Sequence, residues 1–287
     1  MGPAWDFAVA PQRPVPGVSS MVGYRAVDVP DSVHAGLPSA QLTFIVSLDD
    51  GIRASFERSD LATTARKRVL LAGLHTRPSH VEQSTGQAGV QLAVHPLAAR
   101  ALFGCPAAEL AELDIDGAGL LGGLATELAD RLAAPNLRWR NAFEEVAAML
   151  RDRWSSSDAV RPRPELCRAW DALTRSAGRA PIGAVADAAG VSTRHLGTLF
   201  RAEVGLAPKT VARLIRFEAV IGMLGRSVRA GRCIELAEIA DAHGYADQAH
   251  LTREFSRLAG TSPGRWAQQE FRNLQDGGHG GQPDSTP

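Results

Sequence analysis

Cysteine is scarce in this 287-residue chain: Cys105, Cys167 and Cys233 are the whole complement. They lie far apart, are odd in number and form no C-x-x-C, which argues against a disulfide framework or a zinc site. Such usage fits a reducing compartment. Long apolar runs are also missing, and none approaches the ~20 residues that a membrane helix needs. Met1–Ala10 has neither the basic head nor the apolar core of a secretion signal. A cytoplasmic protein without membrane contact is therefore expected. Neither a Gly-rich phosphate loop nor a G-x-S-x-G nucleophile elbow is present, so no catalytic residue and no cofactor is expected. Net charge is absent as well, with 31 Lys+Arg against 31 Asp+Glu.

That balance hides an uneven distribution. Residues 161–272 carry 17 Lys+Arg and 11 Asp+Glu, a net +6, whereas residues 1–160 carry 14 and 18, a net −4. A modest positive half suits a polyanionic partner bound with salt-sensitive affinity. The length predicts about two domains.

The basic half contains one pattern written twice. The first copy is V-A-D-A-A-G-V-S-T-R-H-L-G-T-L-F, Val185 to Phe200, followed by Gly205 and Pro208. The second is I-A-D-A-H-G-Y-A-D-Q-A-H-L-T-R-E-F, Ile239 to Phe255, followed by Gly260 and Pro263. Gly190 and Gly244 are 54 residues apart, whereas His195/His250, Phe200/Phe255, Gly205/Gly260 and Pro208/Pro263 are 55 apart. One residue is therefore inserted in the second turn. Two copies are too few for a solenoid; they predict one supersecondary unit used twice.

Each copy reads as helix, Gly turn, helix. Ile182, Val185, Ala186 and Ala189 share a helical face, as do Leu196, Leu199, Phe200 and Val204. In the second copy the stripes are Leu236, Ile239, Ala240, His243 and then Leu251, Phe255, Leu258. Gly190 and Gly244 supply the backbone freedom that a helix end needs, and Ser192 and Asp247 are N-caps. This is the helix-turn-helix signature, whose second helix enters the DNA major groove. A single copy would be an even bet with ordinary helical packing, and the second copy decides for DNA. The candidate DNA-binding residues are Thr193, Arg194, His195, Gly197, Thr198 and Arg201 in the first motif. In the second they are Asp247, Gln248, Ala249, His250, Thr252 and Arg253. Arg pairs with guanine, Gln with adenine, and Thr or Ala touches a thymine methyl; a phosphate contact is an equal reading for each lone Arg. His195 and His250 stand evenly between half-buried packing and phosphate contact. Between the motifs Thr210–Gly225 predicts a helix of about 24 Å, a rod able to hold two recognition helices about one DNA turn (~34 Å) apart.

Residues 165–271 resemble the DNA-binding domain of AraC/XylS-type transcriptional regulators. The most specific stretch is G-Y-A-D-Q-A-H-L-T-R-E-F-S-R-L-A-G-T-S-P-G-R-W, Gly244 to Trp266. The resemblance implies seven helices, two helix-turn-helix motifs and a linker helix. It further implies that sequence preference rests mainly on Arg194, Gly197, Thr198 and Arg201. Gly197 departs from the long polar residue often found there and reads no base, so fewer direct contacts from the first motif are expected. The implied partners are double-stranded promoter DNA, with RNA polymerase as a further candidate.

The remaining chain is read from pattern. Residues 1–20 are Pro-rich, a loose arm or an edge segment. Strands are expected from Ser20 to Val94, including Gln41–Ser47, Val69–Leu74 and Gly89–Val94. Asp49-Asp50-Gly51 is a turn signal, and Ile52–Phe56 is expected to return as the hairpin partner of Gln41–Ser47. Loops are expected at Thr76–Ser79 and Ser84–Gly86, short helices at Leu97–Phe103 and from Pro106, and a flexible stretch at Gly117–Gly123. Leu124–Ala133 and Leu137–Trp154 are helical; the latter carries Phe143, Val146, Ala147 and Leu150 on one face. That face is either a homodimer surface or packs on its own domain. The fold class is α+β: a small cupin-like β sandwich or barrel with following helices, then an all-α domain. The expected boundaries are 1–154 for a sensor or dimerisation domain (strands about 20–95, helices about 97–154), 155–164 for a linker, 165–271 for the DNA-binding domain and 272–287 for a disordered tail. Leu70–Leu110 weakly resembles the sensor region of some family members, which implies an effector, a small molecule or a protein.

Two other readings stay open. His75, His80 and Glu82 invite a metal, but H-T-R-P-S-H-V-E lacks the H-x-H spacing of a metal-binding cupin, so no metal is expected; His34 and His95 are scattered. Some DNA-alkylation repair proteins join a similar DNA-binding domain to a metal-held nucleophilic cysteine near the N-terminus. Here no cysteine precedes Cys105, and F-G-C-P has no adjacent His or Arg to activate it. An architectural DNA binder without signal input is the third reading.

Overall fold

The computed structural model describes residues 4–10, 15–110, 115–133, 138–156 and 161–275. Among them the N-terminal half forms two sheets. The larger is built from β1 (Ala4–Val9), β2 (Val18–Val27), β8 (Ala88–Val94), β4 (Leu42–Ser47), β6 (Val69–Ala72) and β9 (Ile115–Asp116), in that spatial order. The smaller orders β3 (Ser32–Gly36), β7 (Ser79–Gln83) and β5 (Ala54–Ser55). Alternation on β4 explains the sandwich. Leu42, Phe44 and Val46 face the helices and are fully buried, while Ile45 packs with Ile52, Ala54, Leu70 and Ala72 toward the smaller sheet. The Pro-rich N-terminal stretch supplies the edge strand β1; Pro3, Pro11 and Pro14 lie outside the described residues.

The expected hairpin after β4 does not form. β4 is a central strand whose two sides are taken by β6 and β8. Asp49 instead ties the turn: it accepts from the Ser47 hydroxyl, from the Gly51 amide (2.9 Å) and from the Ala88 amide (2.8 Å). Gly51 then adopts φ +105° and sends the chain across to bridge Ile52 with Lys67, after which β5 joins β7 in the other sheet. Ser79, expected in a loop, begins β7. The stretch Gly117–Gly123, expected to be flexible, is placed in helices. It forms α2 (Gly117–Leu121) and begins α3 (Gly123–Leu132), with Leu121 buried. Gly117 sits against Val69 where a Cβ would have no room.

Short helix α1 (Ala99–Phe103) follows a 3-10 turn at Pro96–Ala98. Leu137 and the expected break at Pro135-Asn136 lie outside the described residues, and helix α4 spans Trp139–Ser156. Its apolar face (Ala142, Phe143, Val146, Ala147, Met149 and Leu150) is buried within this chain. Of the expected linker, residues 157–160 lie outside the described residues.

Seven helices follow among the described residues: α5 (Pro164–Arg175), α6 (Ile182–Ala189), α7 (Thr193–Glu203), α8 (Pro208–Arg229), α9 (Leu236–Ala242), α10 (Gln248–Ala259) and α11 (Pro263–Gln275). The last runs four residues into the expected tail. Trp170 of α5 stacks on Phe200 of α7 (6.2 Å), and Phe217 of α8 packs on Phe255 of α10 (5.2 Å). One buried cluster runs continuously from the larger sheet through the helices of both halves. The chain is thus α+β, with a β sandwich and helices followed by an all-α tandem helix-turn-helix domain.

Candidate nucleic-acid interface

The first motif is α6, a tight turn and α7. Val185, Ala186 and Ala189 bury one face of α6. Gly190 ends it in the left-handed region (φ +75°), where a side chain would be strained. The Ser192 hydroxyl accepts the His195 amide at 3.2 Å, satisfying one of the free donors at the start of α7. The second motif repeats this with Gly244 at φ +71° and Asp247 accepting the His250 amide at 2.6 Å. Arginines reach from α5 and the loop after it to the carbonyls that end both first helices: Arg168 to Ala189 (2.8 Å) and Arg179 to Ala242 (3.4 Å).

The inserted residue of the second turn has a visible consequence. The amide of Ala246 donates to Nδ1 of His250 at 3.3 Å, and the His250 ring meets Tyr245 edge-on at 5.3 Å. His250 is therefore half-buried and holds the turn, whereas His195, its counterpart, is exposed. Thr193, Arg194, Thr198 and Arg201 are exposed on α7, and Asp247, Gln248, Ala249 and Arg253 at the start and along the face of α10; Gly197 and Thr252 are half-buried. Arg201 folds back along its own helix, donating to the Gly197 carbonyl at 3.3 Å. A Cβ on Gly197 would lie 3.4 Å from that guanidinium, an ordinary contact.

Helix α8 is 22 residues long, about 33 Å, and six residues longer than the sequence suggests. Pro208 starts it, a favourable first position. Gly222 and Gly225 do not stop it, because Gly225 and the following Val228 are buried. Its grip on the two motifs differs. Glu254 of α10 is paired with Arg213 (3.1 Å) and Arg216 (3.3 Å) of α8. Arg216 also lies over the Tyr245 ring at 4.7 Å. Burial, with Glu254 beside it, raises the Tyr245 hydroxyl above the usual phenol range. At the matching place in the first motif stands Leu199, which is buried in apolar packing. Sequence reasoning missed Glu254; its place against the apolar Leu199 in the repeat was an available signal, shared with other positions such as Arg194 against Ala249.

The discounted residues have ordinary partners. His75 donates through Nδ1 to the Arg77 carbonyl (2.7 Å), and Glu82 is paired with Arg66 (2.9 Å) and Arg53 (3.5 Å). Among the described residues no group of three or more His, Cys, Asp or Glu is placed to hold a metal. Burial raises the Cys105 thiol, the opposite of what a nucleophile needs. None of the described helices is long and apolar enough to cross a membrane.

Residues 185–269 match the family described as a helix-turn-helix domain. No curated protein is significantly similar in sequence. Among solved structures, the C-terminal domain of AraT, a response regulator from Geobacillus stearothermophilus, is 22% identical over 38% of this chain and 88% of its own, with a TM-score of 0.34. An AraC-type DNA-binding-domain regulator from Chromobacterium violaceum is 19% identical over 38% and 91%, at 0.33. ToxT from Vibrio cholerae is 10% identical over 92% and 98%, at 0.47.

Proposed function

We propose that this chain, a DNA-binding transcription regulator whose C-terminal domain is of the AraC/XylS type, reads one duplex with both motifs at once and answers to a signal received by its N-terminal β domain. The observation that carries the reading is the matched pair of capped, outward-facing helix starts, Thr193–Arg194 and Gln248–Ala249, on motifs joined by a single rod of about 33 Å. Successive major grooves on one face of DNA lie about 34 Å apart. A single chain then does what usually takes a symmetric dimer. Arg194 and Gln248 read base edges. Arg201 and Arg253, further along their helices, neutralise phosphates. His195 contributes to the first surface, while His250 shapes the second from within. The N-terminal half acts through its contacts with the helical domain; an effector that prefers one arrangement by 1–3 kcal/mol would be enough. Regulation then follows from occupancy of promoter DNA or from contacts with polymerase there.

Selection of bound fragments from the source genome by the full-length protein, at two salt concentrations, tests this. A shared enriched motif spanning about two helical turns is the expected result. Binding without enrichment, lost uniformly as salt rises, would leave an architectural DNA binder.

A further inference from the structure

The N-terminal half touches the helical domain at places related by its internal repeat. Gly205, which ends the second helix of the first motif, lies under Ala108: a Cβ there would come 3.0 Å from the Ala108 Cα. Gly260, its counterpart 55 residues on, lies under Pro78, with the same imaginary atom 3.1 Å from the Pro78 ring. Both glycines have left-handed backbones, φ +83° and +70°. Between them, midway along α8, Glu218 accepts the Ser39 hydroxyl at 2.6 Å and the Ala40 amide at 3.0 Å. Beside the first corner Arg100 grips Glu203, the last residue of α7, with two hydrogen bonds of 2.8 and 3.1 Å.

All of these contacts fall at the C-terminal ends of α7 and α10 or on the rod between them. The N-terminal ends, with Thr193, Arg194, Gln248 and Ala249, stay exposed. At 11 residues, α7 separates its two ends by about 16 Å. The second motif has its own charged lock on α8 through Glu254. The first has Leu199 there, and its charged lock, Glu203, is to the N-terminal half.

We infer that the N-terminal domain is a brace that sets the separation and angle of the two recognition helices, with Arg100, Glu203, Glu218 and Ser39 as positioning residues. The inference rests on the proposal that both motifs read one duplex. It assigns spacing selectivity, rather than base selectivity, to residues that touch no DNA. A shift of the N-terminal half is felt at both corners, but it moves the first reading helix further, because the second has its own charged lock on α8.

Full-length protein is used throughout. Duplexes selected from a randomised pool by the unaltered protein supply the consensus, and versions one base pair shorter or longer between its two blocks supply the probes. Arg100→Glu should shrink the preference for the selected spacing about fivefold or more, with base preferences unchanged. The Arg100→Glu/Glu203→Arg exchange should restore it. Arg100→Gln, with unchanged thermal unfolding, guards against simple misfolding. An unchanged spacing profile, or a uniform change in affinity at every spacing, would overturn the brace. A second measurement needs no DNA: amide exchange at Gly205 and Gly260, both hydrogen-bonded to the preceding helix turn, should quicken together in Arg100→Glu. Quickening at Gly205 alone would also overturn it. If no duplex is enriched, the DNA-reading proposal fails, and amide exchange still decides the brace.

Discussion

Single residues with the same chemistry are held differently here. Arg194, Arg201 and Arg253 are all exposed, but Arg201 is tied to the Gly197 carbonyl of its own helix. Arg194 stands at the helix start, where side chains enter the groove. Replacing Arg194 by Ala should therefore relax base preference at one position of the site, a loss of about 1–3 kcal/mol in discrimination. Arg201→Ala or Arg253→Ala should instead weaken binding to all sequences alike and flatten the salt dependence by about one unit of slope. Titrations of selected and scrambled duplexes over a range of salt separate the two patterns; equal, sequence-independent losses for all three would refute the division. The two histidines make the same point. Both precede a buried leucine in matching sequence, but the extra residue in the second turn offers His250 an amide that His195 never meets.

At the scale of elements, the asymmetry between the motifs lies in how each second helix meets α8. Glu254 holds two arginines on a largely buried surface. Removing it leaves two cations without their partner, which costs more than the pair itself contributes. Glu254→Ala should lower stability by about 2–3 kcal/mol and loosen the second motif before the first. Denaturation, followed together with amide exchange in α10 and α7, checks both parts. Loss spread evenly over the two helices would mean that the pair serves the domain as a whole. In the β half, an element's place in the sheet overrides local turn chemistry. Asp49-Asp50-Gly51 is a hairpin signal, but β4 already has neighbours on both sides. The carboxylate of Asp49 closes the turn, and the chain changes sheets.

At the scale of the molecule, the two halves share a core and meet through groups that titrate. His95 packs on Trp170 of α5 at 4.7 Å, and its Nδ1 accepts the Leu97 amide at 3.1 Å. Burial pulls its pKa down to about 4, against a smaller opposing effect of Asp171. The folded protein then binds fewer protons than the unfolded chain between about pH 6.5 and 4. Stability present above that window is lost as pH falls through it. His95→Asn keeps an acceptor for the Leu97 amide and removes the titration. Its unfolding midpoint should fall less than that of the parent protein between about pH 7 and 4. Parallel acid losses in both proteins would place the titration elsewhere. Glu218 has the opposite sense: burial raises its carboxyl above the usual range, against a smaller opposing effect of the hydrogen bonds it accepts from Ser39 and Ala40, so the docked arrangement is favoured at lower pH and loses stability as pH rises through that raised value. Glu218→Gln should remove this dependence, which pH-resolved unfolding of the two proteins would reveal.

Local pattern determined the helical half. Periodic apolar residues, a glycine that can turn left-handed and a capping oxygen are short-range devices, so Val185–Phe200 and Ile239–Phe255 could be read without a neighbour in view. The exposed faces of α7 and α10 followed, because a stripe that is buried fixes what remains outside. Tertiary structure decided what depends on distant partners. Gly117–Gly123 became helical against Val69, and Ile52 and Ala54 crossed to the other sheet. Ser39, Arg100 and Ala108 came to rest on Glu218, Glu203 and Gly205. Those contacts join residues about a hundred or more positions apart, each with several possible partners in sequence, and only the packed chain selects among them.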